Sequence, residues 1–291
     1  MKVDKFRTVI IYIIIILLGL VCLLPLLNIV AISFSSSAAV EGNMVGLIPV
    51  GFSTAAYEKI LEDSQFWHSF LISVERVVLA LIINFVLIVL MAYPLSKTNA
   101  QFRGRNIYAN LMIFAMLFNG GMIPTFLLVK SYGLLNTVWA LVLPGAVPIF
   151  NVILVMNFFA AVPKELEEAA FIDGANPLQV LTKIFIPISK PVLATVSLFS
   201  IVGSWNDFYS GLIYMSKAAY YPLMTYIQSL QINVEDLIKQ GNLSAVVDSA
   251  SLGNTNLNAA KIVVAVIPLL LIYPLLQRYF VSGIVVGSVK G

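Results

Sequence analysis

Six long apolar runs alternate with polar or Gly- and Pro-bearing connections along the chain: 8–32, 69–95, 107–129, 137–161, 190–214 and 261–282. A helix rises about 1.5 Å per residue, so about 20 apolar residues cross the ~30 Å hydrocarbon core of a bilayer. Each run meets that length, which predicts an all-α integral membrane protein of about six transmembrane helices. The first run follows Lys2, Lys5 and Arg7, as a secretory signal would. It is longer than the ~7–15 residues of a signal's apolar region, and no clear small-residue cleavage site stands close behind it. It reads as a retained span.

Composition sharpens the class. Of 291 residues, 60% are hydrophobic and 11% charged, where a soluble domain keeps about 25% charged residues to cover its surface. A net charge of +3 is too small to suggest nucleic acid. The single cysteine, Cys22, lies inside an apolar run, and His68 is the only histidine. Neither a disulfide framework nor a cysteine or histidine metal site can be built from them, so no metal site is expected.

Lysines and arginines set orientation, because cytoplasmic loops hold them preferentially. Lys2, Lys5 and Arg7, then Lys97, Arg103 and Arg105, then Lys164, Lys183 and Lys190, and finally Arg278 and Lys290 account for eleven of the 17. With six spans this places both termini and residues 162–189 in the cytoplasm. Residues 33–68 and 215–260 become external. The chain divides into 1–68, an N-terminal span with the first external loop, and 69–291, a core transmembrane domain.

Residues 162–189 are a polar island. Pro163 suits a first helical turn, where its missing N–H is not needed. Glu165, Glu167 and Glu168 follow, near the positive end of the helix dipole. Gly174 can turn left-handed and end that helix. Asn176 then offers an N-cap with Pro177 behind it, and Pro187 is expected to close the second helix. The pattern predicts two short helices around a glycine turn.

Glu168-Ala169-Ala170, Gly174, Ile184, Ile186 and Pro187 resemble the EAA loop of ABC importer permeases: EAA, three residues, Gly, nine residues, I-x-L-P, with Ile186 in place of the usual Leu. Six fixed positions match by chance about once in ten million starts. Further along, the I-D-G-A run at 172–175, Pro191, Trp205-Asn206-Asp207-Phe208 and Gly283 with Gly287-Ser288-Val289-Lys290-Gly291 are similar to the carbohydrate-uptake branch, in its maltose-permease-like second subunit. Phe118-Asn119-Gly120-Gly121-Met122-Ile123-Pro124 is similar to the subgroup for complex oligosaccharides. The first span and first external loop carry no such signature.

The resemblance implies the fold of an ABC type I importer permease in the bacterial plasma membrane. It implies a second homologous permease in a heterodimer, two ATPase subunits and an extracellular or periplasmic sugar-binding protein. No G-x-x-x-x-G-K-[ST] phosphate loop occurs in the chain. The chain is therefore expected to bind no cofactor and to be no enzyme; ATP and Mg would be used by the partner ATPase. The EAA helix would dock on that ATPase through Glu165, Glu168, Ala169, Ala170, Asp173, Gly174, Ile184 and Pro187, the two alanines allowing close approach. In the family the connection at 215–260 can also reach into the binding protein.

The substrate pathway has weaker markers. Ser197, Ser200, Ser204, Asp207 and Gly211 recur at helical spacing as one small, polar stripe. Trp205 stands about 200° from Asp207 on a helix, so both cannot face a sugar. An ionisable residue within a span favours Asp207, with Asn206 and Ser204, although small residues with one polar group also serve plain helix packing. Asn119, Gly120 and Gly121 interrupt the third span, either lining a site or as a packing kink. Residues 107–118 alone reach only about 18 Å, so the span is expected to continue through that break. A permease for a non-sugar solute, a secondary sugar transporter and a membrane-embedded enzyme are the competing readings.

Overall fold

In the computed structural model, residues 5–230 and 255–287 are described, and every regular element among them is helical. Helix α1 (Lys5–Ser33) carries exposed apolar side chains from Val9 to Leu27. A helix apolar all round needs lipid or another chain as its surroundings. Two short helices follow, α2 (Ser37–Glu41) and α3 (Ala55–Glu62), and then α4 (Ser64–Leu95).

The chain separates into two compact units. The first comprises Met1–Trp67 with Tyr226–Pro268, the second His68–Thr225 with Leu269–Gly291. In the first, Phe34 stacks on Phe52 and Tyr57, with ring centroids 5.7 and 4.7 Å apart. Asp63 Oδ1 accepts the N–H of Phe66 at 3.0 Å, capping the start of α4. Lys261 lies 2.7 Å from Asp63 Oδ2, which also accepts the Tyr226 hydroxyl at 2.9 Å.

The second unit holds α4 beyond His68, α5 (Arg105–Leu117), α6 (Met122–Ser131), α7 (Val138–Val142), α8 (Ile149–Ala160), α9 (Lys164–Ile172), α10 (Pro177–Val180), α11 (Ile186–Ile188), α12 (Lys190–Asn206) and α13 (Tyr209–Tyr214). Its core joins Ile88, Val89, Ala92 and Leu95 of α4 to Val152, Val155 and Phe159 of α8 and Val192, Leu193 and Val196 of α12. These positions recur every three to four residues, one stripe per helix. Lipid is as apolar as these side chains, so close packing rather than the hydrophobic effect holds the stripes together. Helix α14 (Thr255–Gly287) ends the described chain.

Among the described residues three helices are long and apolar enough to cross a membrane unbroken, and up to six spans result if each bent pair counts as one. The third run departs from expectation. Helices α5 and α6 meet at 110°, so their ~20 and ~15 Å lengths do not add along one axis. The cause is local: 118–121 leave the helix, and Gly121 takes φ 92°, a value only glycine adopts freely. The fourth run also bends, by 48°, through a 3₁₀ turn at Leu143–Gly145 bearing Pro144 and followed by Pro148. The fifth run ends as a helix at Asn206: Asp207 is extended (φ −75°, ψ 102°) and α13 restarts at Tyr209. Asp207 and Gly211 therefore do not continue the helical stripe of Ser197, Ser200 and Ser204. Of the connection at 215–260, residues 231–254 lie outside the described residues, as do the closing residues 288–291.

Candidate functional site

Helix α9 begins after Pro163 with Glu165 and Glu167 in its first turn. It ends in a Schellman motif: Gly174 takes φ 81°, its N–H donates to Phe171 O at 3.1 Å, and that of Ala175 donates to Ala170 O at 2.9 Å. Asn176 starts the second arm with a capping box, exchanging two 2.9 Å hydrogen bonds with Gln179. These were legible in sequence.

Pro187 does not close the second arm. The helix runs through it to Ile188, because Leu181–Phe185 widen into a π turn in which Ile186 N–H donates to Leu181 O, five residues back. A proline removes one helical donor and crowds the carbonyl four residues before it, and a π turn relieves that crowding. The chain turns after Ile188, and α12 leaves at 84° to the arm.

Burial sorts the residues of this hairpin. Glu165, Glu168, Ala169, Asp173, Gly174 and Pro187 are exposed, whereas Ala170 and Ile184 pack against the core. The two alanines therefore serve opposite faces: Ala170 lets α9 lie close to its own unit, and Ala169 stays available outside. Ile172 and Leu178 stand 86% and 63% exposed beside the outward face, an apolar contribution that the motif alone does not announce. Glu167 points inward, 9% exposed. Its Oε1 lies 2.7 Å from Lys97 Nζ, at the end of α4, and Lys97 in turn lies 4.1 and 4.2 Å from the ring centroids of Tyr93 and Phe185. Burial lowers the pKa of Lys97 below the ordinary lysine value, with the Glu167 carboxylate opposing.

A second locus lies at the break after α12. Arg76 is 4% exposed; it pairs with the Asp207 carboxylate and donates to Asp207 O at 2.9 Å and Leu141 O at 3.5 Å. Asp207 Oδ1 accepts the N–H of Ser210 at 3.1 Å and so caps α13. A cavity of about 210 Å³ is lined by Arg76, Asn84, Ser204, Asp207, Ser210 and Tyr214. Ser204 and Asp207 thus come together, with Arg76 and Asn84 as partners that sequence reasoning missed. The signal was available: opposite charges inside apolar runs need one another. Trp205 instead is buried, edge-on to Phe70 at 5.6 Å. Asn119, Gly120 and Gly121 are exposed and do not line this cavity; Asn119 Oδ1 accepts Gly121 N–H at 2.9 Å within the α5–α6 turn. Among the described residues no group of acidic, histidine or cysteine side chains could hold a metal ion.

Residues 78–286 match a family described as binding-protein-dependent transport system inner membrane component. Protein LplC of Bacillus subtilis is 40% identical over 273 residues, 94% of this chain and 91% of LplC. The polygalacturonan/rhamnogalacturonan transport system permease protein YtcP, also of Bacillus subtilis, is 40% identical over 288 residues, 99% of each chain. The crystal structure of a bacterial ABC transporter involved in the import of the acidic polysaccharide alginate contains a chain that superposes with a TM-score of 0.83 at 32% identity, covering 96% of this chain and 98% of that one.

Proposed function

The chain belongs to the family of binding-protein-dependent transport system inner membrane components, and from that membership we propose that it is the permease subunit of an ATP-driven importer carrying a saccharide, an oligosaccharide foremost, into the cytoplasm. The observation that carries this is the capped hairpin at 163–188. Its outward face offers Glu165, Glu168, Ala169, Ile172 and Asp173 to no residue of its own unit's core, while Glu167 and Ala170 fasten its inward face. Such a rigid lever suits docking on an ATPase, and the chain has no phosphate loop of its own.

In this reading two ATPase subunits use ATP and Mg. A second, homologous permease completes a heterodimeric pathway in the plasma membrane, and an external binding protein delivers the sugar. Both termini and residues 162–189 face the cytoplasm; residues 69–291 form the transmembrane core, and residues 1–68 supply the N-terminal span and first external loop. Ser204 and Asp207 border the pathway through the polar cavity, the exposed Asn206 borders it outside that cavity, and Asn119, Gly120 and Gly121 border it at the α5–α6 turn. A saccharide cargo is supported by the named cargoes of YtcP and of the alginate transporter.

The test is reconstitution with the partner subunits and the binding protein loaded with candidate saccharides in turn. A loaded binding protein is expected to stimulate ATP hydrolysis and import together. Gly174→Val meets open space around its Cβ, so its cost is the left-handed backbone alone, about 1–2 kcal/mol. That is too little to unfold the subunit and enough to displace the turn. Gly174→Val and Glu168→Lys are expected to stay in the membrane and lose import per ATP. Normal import by an assembled Gly174→Val complex would discard the lever, and stimulation by no saccharide would discard the cargo.

A further inference from the structure

Glu75 is an exposed carboxylate on α4, a helix otherwise built for lipid. Its neighbour Arg76 is turned inward and engaged by Asp207, and Glu75 itself makes no ion pair among the described residues. An ionisable side chain within a spanning helix almost always faces the bundle interior or a water-filled cavity rather than lipid, so this face of α4 has polar surroundings in the working protein. Beside it lies a cavity of about 280 Å³ lined by His68, Glu75, Asn136, Thr137, Leu141 and Tyr220, among others. Its size falls just under the ~300 Å³ at which sites for drug-sized ligands begin, which gives room for one sugar unit and not for a long chain.

The cavity is also built. Asn136 holds a left-handed backbone, φ 62°, and its Oδ1 accepts the backbone N–H and hydroxyl of Ser216 at 2.7 and 2.9 Å. That fixes the amide and commits its acceptor, leaving its N–H donors for a ligand. Leu141 lines this cavity and also the inner one that holds Ser204 and Asp207, so the two share a wall.

We propose that this outer cavity is a saccharide subsite on the approach to the pathway. Glu75 accepts hydrogen bonds from two neighbouring hydroxyls of one sugar unit, Asn136 donates one, and the Tyr220 ring lies against the apolar C–H face. The proposal rests on the importer reading and on the external placement of the start of α4. A hydroxyl pair is common to neutral sugars and uronic acids, so one oligosaccharide of each kind serves as probe.

The measurement is saccharide imported per ATP hydrolysed by the reconstituted complex at saturating loaded binding protein. Glu75→Ala is expected to lower it about tenfold, the loss of one or two hydrogen bonds to a charged group, and Tyr220→Ala to lower it by a similar factor through loss of the ring's contact with the sugar. Glu75→Gln and Tyr220→Phe are expected to keep most of it. A loss confined to one probe identifies which unit occupies the subsite and supports the proposal. Unchanged import of both probes by Glu75→Ala overturns it. Failure of both Glu75→Ala and Glu75→Gln to assemble with the second permease also overturns it, because the face is then a subunit contact. A wild-type complex that imports neither probe overturns the importer reading and the subsite with it.

Discussion

Arg76 and Asp207 stand 131 positions apart and meet where α12 breaks. The guanidinium binds the carboxylate and two main-chain carbonyls, and the carboxylate caps α13. Broken backbone at membrane depth must find such partners, since lipid offers none. The carboxylate expected from sequence to meet sugar is thus already engaged, and its first consequence is to hold the break. Asp207→Leu should strand a buried guanidinium at a cost of about 3–5 kcal/mol. The Arg76→Leu/Asp207→Leu double variant should lose less than the two single losses added, with a coupling of about 1 kcal/mol or more. Thermal unfolding midpoints of the four purified complexes test this, and additive losses would refute it. That each charge needed a partner was legible in the apolar runs; which partner was not, because a helix-period pattern carries no information about residues on another element.

At the scale of elements, the hairpin shows where local rules suffice. The Schellman turn and the capping box each close within five residues, and both were readable. The inward grip of Glu167 was not: it depends on Lys97, 70 positions away. The helical spacing of Glu167 and Ala170 was a usable hint that they share a face. Glu167→Ala should leave Lys97 over two rings without its carboxylate and loosen the lever. Amide hydrogen exchange over 163–188 in that variant should speed by about tenfold or more, a local loss of ~1.4 kcal/mol. Glu168→Ala, outside the grip, should leave exchange there unchanged; equal effects of the two would contradict the sorting of faces.

For the whole molecule, the ionic network of the first unit links acidity to stability. Burial raises the pKa of Asp63, but hydrogen bonds from Lys261, Phe66 N–H and Tyr226 outweigh it and hold the carboxyl below its ordinary value. The same carboxylate, after burial, raises the Tyr226 phenol. A carboxyl lowered in the folded state contributes stability that is complete above its unfolded value, about pH 4, and fades as pH falls through the lower folded value. The thermal midpoint should therefore drop as pH falls below about 4. Asp63→Asn should flatten that dependence and lower the midpoint at neutral pH, since Lys261 at 4% exposure is then buried without its counter-charge. A variant with unaltered acid dependence would remove Asp63 as its source.

What the chain determined by itself was whatever closes within a few turns: the apolar length of each run, the caps at Gly174 and Asn176, and the spacing from Glu168 to Pro187. Each of those features lies within one continuous stretch of chain, and sequence order supplies it. The tertiary structure decided the 110° turn between α5 and α6, the π turn that carries the helix through Pro187, the inward face of Glu167, and the pairing of Arg76 with Asp207 that leaves Glu75 beside its own cavity. The two ion pairs balance a local preference against a partner supplied by another element, and in a low-dielectric interior an unmet charge or carbonyl costs more than a bent helix.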